Sequence, residues 1–168
     1  AINRVYSEKF GLYQWQDAEG DVMDAAFALL MESEIDMTIF FRALATAESV
    51  EALQSAFYLD GQWQQAREKW AAWFARYAAL VAEQNPTFEQ QTARVSRMNA
   101  ANPKYVLRNY LAQQAIDAAH AGDYSKIAEL LDVMRKPYDD QPGREIYAEK
   151  RPDWARTKAG CSMLSCSS

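Results

Sequence analysis

The stretch Gln62-Trp63-Gln64-Gln65-Ala66-Arg67-Glu68-Lys69-Trp70-Ala71-Ala72-Trp73-Phe74-Ala75-Arg76-Tyr77-Ala78-Ala79-Leu80-Val81-Ala82-Glu83-Gln84 decides the fold class. Trp63, Ala66, Trp70, Trp73, Tyr77, Leu80 and Val81 recur close to every 3.6 residues, which gathers them on one side of a helix. Rings at this spacing (Phe74 joins them) read as core packing rather than as a ligand box. Gly61 precedes the helix. Asn85-Pro86-Thr87 ends it, because Pro disfavours helical backbone in the residue before it.

Outward from there, the same period recurs. Asp21 caps a helix to about Glu32 with Val22, Ala26 and Leu29 inward. Asp36 caps a second with Ile39, Phe40, Ala43 and Leu44 inside, and Ser49 begins a short third containing Val50, Leu53 and Phe57. Downstream, a polar helix covers about Phe88 to Asn99. Asn102-Pro103 reads as a start signal, with Asn capping and Pro in the first turn. That helix runs to about Ala121, with Leu107, Tyr110, Leu111, Ala115 and Ala118 inward, and Gly122 terminates it. Ser125 starts another, with Ile127, Leu130, Leu131 and Met134 inward, and Lys136-Pro137 ends it. No strand alternates convincingly. The expectation is an all-α fold of about seven helices over residues 1–136. An extended, irregular tail follows over 137–168, punctuated by Pro137, Pro142, Gly143, Pro152 and Gly160. Val5, Phe10, Leu12 and Trp15 open the chain without a clear start signal. The sequence thus reads as a processed mature chain or, preferably, a fragment of a longer one.

At 168 residues with 49% hydrophobic and 24% charged residues, the composition is that of one globular domain. The net charge of −5 disfavours nucleic acid and anionic lipid as partners. No apolar run approaches the ~18–20 residues of a membrane helix. Charge is uneven: residues 1–60 carry eleven acids and three bases, and residues 61–116 three acids and seven bases. These segments either pack on each other or face a missing partner. The only cysteines, Cys161 and Cys166, lie near the end, and the single histidine is His120. That is neither a disulfide framework nor a four-ligand zinc set, and a reducing cytoplasmic setting fits it best.

The sequence lacks a glycine-rich phosphate loop, the kinase catalytic-loop and Asp-Phe-Gly motifs, and a His-Glu-x-x-His pair. His120, on a helix flank, reads as a surface or partly buried residue; a hydrolase built on it is a rival reading. Asp139-Asp140 reads as a solvated acidic pair. Glu32-Ser33-Glu34-Ile35-Asp36 reads as a helix junction with a cap rather than a metal site. Arg94, Arg97, Lys104 and Arg108 form a basic stretch without an intervening acid, expected to serve salt bridges or a neighbouring domain. Cys166, third from the end, is either an unconstrained thiol or a redox latch, and the role of Cys161 is open.

The stretch Met98-Asn99-Ala100-Ala101-Asn102-Pro103-Lys104-Tyr105-Val106-Leu107-Arg108-Asn109-Tyr110-Leu111-Ala112-Gln113 resembles the C-terminal region of the selenoprotein O family. So do Lys9-Phe10-Gly11-Leu12, Thr38-Ile39-Phe40-Phe41-Arg42-Ala43-Leu44, Gly122-Asp123-Tyr124-Ser125, Leu130 to Tyr138, Pro152-Asp153-Trp154-Ala155 and the ending Ser165-Cys166-Ser167-Ser168. The resemblance implies a parent about three times this length. In the parent, a kinase-like domain binds ATP with magnesium or manganese and transfers AMP to Ser, Thr or Tyr of protein substrates. It implies that this chain is the helical C-terminal part, with no catalytic, nucleotide or metal residue of its own. Its partner is then the parent's own N-terminal kinase-like domain. Cys166 falls where some members carry selenocysteine, which implies a redox-regulatory role. The rival from another class is a stand-alone helical protein-interaction module.

Overall fold

In the computed structural model, which describes residues 2–13, 17–158 and 161, the tryptophan-rich stretch forms the longest helix. Among the described residues, seven α-helices follow one another: α1 Ile2–Phe10, α2 Asp17–Glu32, α3 Met37–Thr46, α4 Asp60–Gln84, α5 Phe88–Ala101, α6 Asn109–His120 and α7 Ser125–Met134. Short 3-10 turns cover Val50–Ala56, Glu145–Ala148 and Asp153–Arg156. Among the described residues there is no strand, only an antiparallel bridge between Ile35 and Phe57. The fold is all-α, as the periodicity requires. The chain divides into two units, residues 1–102 and 103–168.

The first unit is built around α4. Trp63, Ala66, Trp70, Trp73, Tyr77 and Val81 are buried along one side of it. Trp70 is fully buried, with ring centroids 5.3 Å from both Phe40 and Trp73. Two of the rings have their polar edges satisfied: Trp73 Nε1 donates to the Val22 carbonyl at 2.8 Å, and Tyr77 Oη donates to the Phe10 carbonyl at 2.8 Å, whereas the buried Trp70 Nε1 has no acceptor. This arrangement matters because a buried donor without an acceptor costs about 1–3 kcal/mol. Asp36 caps α3, accepting from the Ile39 amide at 3.0 Å. Thr87 and Gln90 form a reciprocal capping box at the start of α5.

Helices α3 and α5 cap each other. Arg42 on α3 donates to the carbonyls of Asn99 and Asn102, at the end of α5. Arg94 on α5 donates to the Ala45 carbonyl, near the end of α3, at 3.0 Å. The two helices therefore run antiparallel. Each guanidinium sits at the negative end of the other's dipole, which accommodates the buried charge of Arg94.

Several sequence expectations are corrected. A helix over Ile2–Phe10, for which the sequence carries no start signal, is present. Helix α2 begins at Asp17, so Asp21 lies inside it rather than capping it. Helix α6 begins at Asn109, not at Pro103. The Lys104 and Tyr105 amides both donate to the Pro137 carbonyl (2.8 and 3.0 Å), so this backbone is tied to a distant residue instead of to a helical turn. Asn102 closes α5: its Nδ2 donates to the Met98 and Lys9 carbonyls, and its Oδ1 accepts from Lys9 Nζ at 3.2 Å.

In the second unit, α6 and α7 pack on one another. Gly122 (φ +86°) turns the chain between them. Gln141 Nε2 donates to the Val133 and Lys136 carbonyls and so ties off the end of α7. The core is Tyr110, Leu111, Ala115 and Leu130 together with Ala155 and Cys161 from the last part of the chain.

Candidate functional site

Tyr105 and Arg108, from the 98–113 stretch that carries part of the resemblance, are buried. Tyr105 Oη donates to the Gln141 carbonyl at 3.5 Å, and Arg108 Nη1 donates to the Tyr147 carbonyl at 3.5 Å. With the Pro137 bonds they lash residues 104–108 to the loop after α7. In the first unit, Phe10 and Leu12 are fully buried on either side of Gly11, whose φ is +70°. Phe40, Phe41 and Leu44 are core, and Arg42 caps α5. These blocks carry packing and capping roles.

The basic stretch is dispersed. Arg94 is buried, donating to Tyr77 Oη at 3.1 Å as well as to Ala45. Burial pushes the Tyr77 hydroxyl up to about 12, against the opposing pull of the nearby Arg94 charge. Arg97 stacks over the Tyr13 ring, 3.8 Å from its centroid. Lys104 pairs with Asp140 at 2.6 Å. The acidic pair is thus split: Asp140 is in an ion pair, and Asp139 is exposed. Glu32 pairs with Lys69 at 2.6 Å while Asp36 serves as a cap, which makes that stretch a helix junction. His120 lies exposed at the end of α6, in the same turn region as Asp117, whose carboxyl is held low chiefly by the Lys158 ammonium. Cys161 is a free, buried thiol. Cys166 lies outside the described residues, as do Trp15 and Gly160.

Among the described residues no group of three His, Cys, Asp or Glu side chains is placed to hold a metal ion. With Arg94, Arg97 and Lys104 committed elsewhere, these residues do not fit a metal-nucleotide pair. No described helix is long and apolar enough to cross a membrane.

The most distinctive surface feature is on the second unit. A groove of about 330 Å³ between α6 and α7 is lined by apolar side chains, among them Leu107, Ile116, Ile127, Leu131 and Met134. Leu107, Ile127 and Leu131, expected inward from their spacing, are exposed on its walls. The periodicity identifies an apolar face correctly but cannot say that part of it lies open. The signal that could have found the groove is the excess of that face: α7 carries more apolar positions than one partner helix can cover.

The family model of the protein adenylyltransferase SelO matches residues 2–135. The chain belongs to this family. A protein nucleotidyltransferase YdiU of Aromatoleum aromaticum is 48% identical over 169 residues, covering 98% of this chain and 32% of the relative. The YdiU of Methylobacillus flagellatus is 49% identical with the same coverage. That of Azoarcus sp. is 49% identical over 164 residues, covering 95% of this chain and 31% of the relative. The chain thus spans about a third of the length of the curated SelO-family relatives it matches.

Proposed function

We propose that this chain is the helical C-terminal portion of a SelO-type protein adenylyltransferase and buttresses the kinase-like domain that carries the chemistry. Coverage carries the reading: nearly the whole chain aligns, yet it accounts for only about a third of relatives named nucleotidyltransferases. The family-like blocks add support, because their buried residues serve the fold rather than face a ligand. In the parent, a protein Ser, Thr or Tyr hydroxyl attacks the α-phosphorus of ATP, and pyrophosphate leaves. ATP and a divalent magnesium or manganese ion belong to that other domain. The setting is cytoplasmic, with protein substrates as partners, neither nucleic acid nor membrane.

Cys166 is the regulatory thiol in this reading. It and a second thiol in the kinase-like domain give up two electrons and two protons to hydrogen peroxide, forming a disulfide and two waters. The test uses ATP labelled on the α-phosphate. The full-length polypeptide containing this segment labels protein, whereas the 168-residue chain does not. Labelling by the chain alone overturns the assignment of roles. Failure of the full-length polypeptide to label overturns the family-based activity.

A further inference from the structure

The open groove of the second unit is shaped for a helix. Ile127, Leu131 and Met134 follow at steps of four and three along α7, and Tyr124, 66% exposed, continues the stripe one step back. That alternation is the seam pattern by which one helix receives another. The facing wall comes from α6 through Ile116, with Leu107 at its approach. Leu107, Ile116, Ile127 and Leu131 are 51%, 46%, 47% and 54% exposed, an apolar cluster with no polar group in the lining. Ala115 and Leu130, buried in the unit's core with Tyr110 and Leu111, also line the groove, so its base is packed while Leu107, Ile116, Ile127 and Leu131 stand open above it. Clusters of this kind mark interaction sites.

The occupant is argued from length. About two thirds of each curated relative lies outside the span this chain covers, which is ample to supply a covering helix. We infer that the α6–α7 groove receives an apolar-faced helix from the remaining two thirds of the same polypeptide, making this groove a docking seam between the two parts. The inference rests on the reading of the chain as part of a longer adenylyltransferase.

The test is site-resolved thiol labelling with a water-soluble maleimide, read peptide by peptide by mass spectrometry. Leu131→Cys and, on the other wall, Ile116→Cys are made both in the 168-residue chain and in the full-length polypeptide. Buried Cys161 reports folding: a variant in which it labels rapidly is set aside for the other. In the chain, both introduced thiols label fast. In the full-length polypeptide they label at least tenfold more slowly at every protein concentration. Equal rates in the two contexts overturn the proposal. Protection in the chain that disappears on dilution also overturns it, assigning the groove to a second copy. Protection in the full-length polypeptide that requires an added separate protein overturns it in favour of an external partner. AMP transfer is scored separately. An active full-length polypeptide with unprotected thiols sinks only the groove, whereas an inactive one with protected thiols sinks only the activity.

Discussion

Replacing glycines one at a time by alanine separates backbone strain from close packing. Gly11 combines both. Its φ is +70°, and a Cβ there would sit 2.6 Å from Met98 Sδ and 2.9 Å from Arg94 Cγ. Neither neighbour yields cheaply, since Met98 is fully buried and Arg94 is anchored to Ala45 and Tyr77. Left-handed backbone costs an L-residue about 1–2 kcal/mol. Overpacking adds about 1–3 kcal/mol. Stiffening of the unfolded chain returns about 0.4–1 kcal/mol. Gly11→Ala is therefore expected to lose about 2–4 kcal/mol, a fall in Tm on the order of 15 °C for a unit of this size. Gly61 is the control in the same unit: its φ is ordinary and nothing lies within 4 Å of a Cβ. Gly61→Ala, in the first turn of α4, should be neutral or stabilising by up to about 1 kcal/mol. In the second unit Gly122 and Gly143 have φ of +86° and +82° with open space around them, so each alanine should cost about 1 kcal/mol, the strain alone. Urea and thermal unfolding followed by tryptophan emission read the series. A Gly11→Ala protein within about 0.5 kcal/mol of Gly61→Ala would refute the packing argument.

Two further perturbations test the polar bonds of the first unit. Tyr77 is buried with its hydroxyl pushed up to about 12, above the ordinary value of 10.0. A group whose folded value is raised contributes stability that is full below the unfolded value and lost as pH climbs through the folded one. Urea stability should therefore fall between pH 10 and about 12, and Tyr77→Phe should flatten that fall while costing about 1 kcal/mol at neutral pH; an equal slope in the variant counts against the assignment. Asn102→Ala removes two donations to carbonyls at the end of α5 and of α1 and one acceptance from Lys9, so the first unit should lose about 1.5–3 kcal/mol by the same unfolding assay. Were Asn102 instead the cap of the following helix, hydrogen exchange would rise at residues 109–113, and α5 would keep its protection.

How much of this was legible follows from what each signal encodes. Asp36 was readable as a cap because the amide that donates to it lies three residues away, and the α4 stripe because its partners all come from its own unit. Asn102-Pro103 misled because the same two residues also suit the end of a helix. The bonds that decide the matter go to Lys9 and Pro137, separations that no local pattern carries. Helix α1 was invisible for a related reason: Tyr6 and Phe10 pack onto Phe27 and Phe41 from near one end, without a repeating stripe.

The stripes of α4 and α7 show where periodicity stops. Both mark an apolar face, and burial depends on what arrives to cover it. On α4 the rings of Phe40 and Phe57 arrive from the same unit. On α7 only Leu130 and Val133 are buried, leaving Ile127 and Leu131 open. A free-standing domain under pressure to stay monomeric would favour polar residues at those two positions, at little cost to its own core. Their apolar character at exposed sites is intelligible when the covering surface belongs to the same longer polypeptide, because it is then never absent once synthesis is complete. On the proposed reading, the open wall of α7 and the chain's span of about a third of its relatives share one explanation.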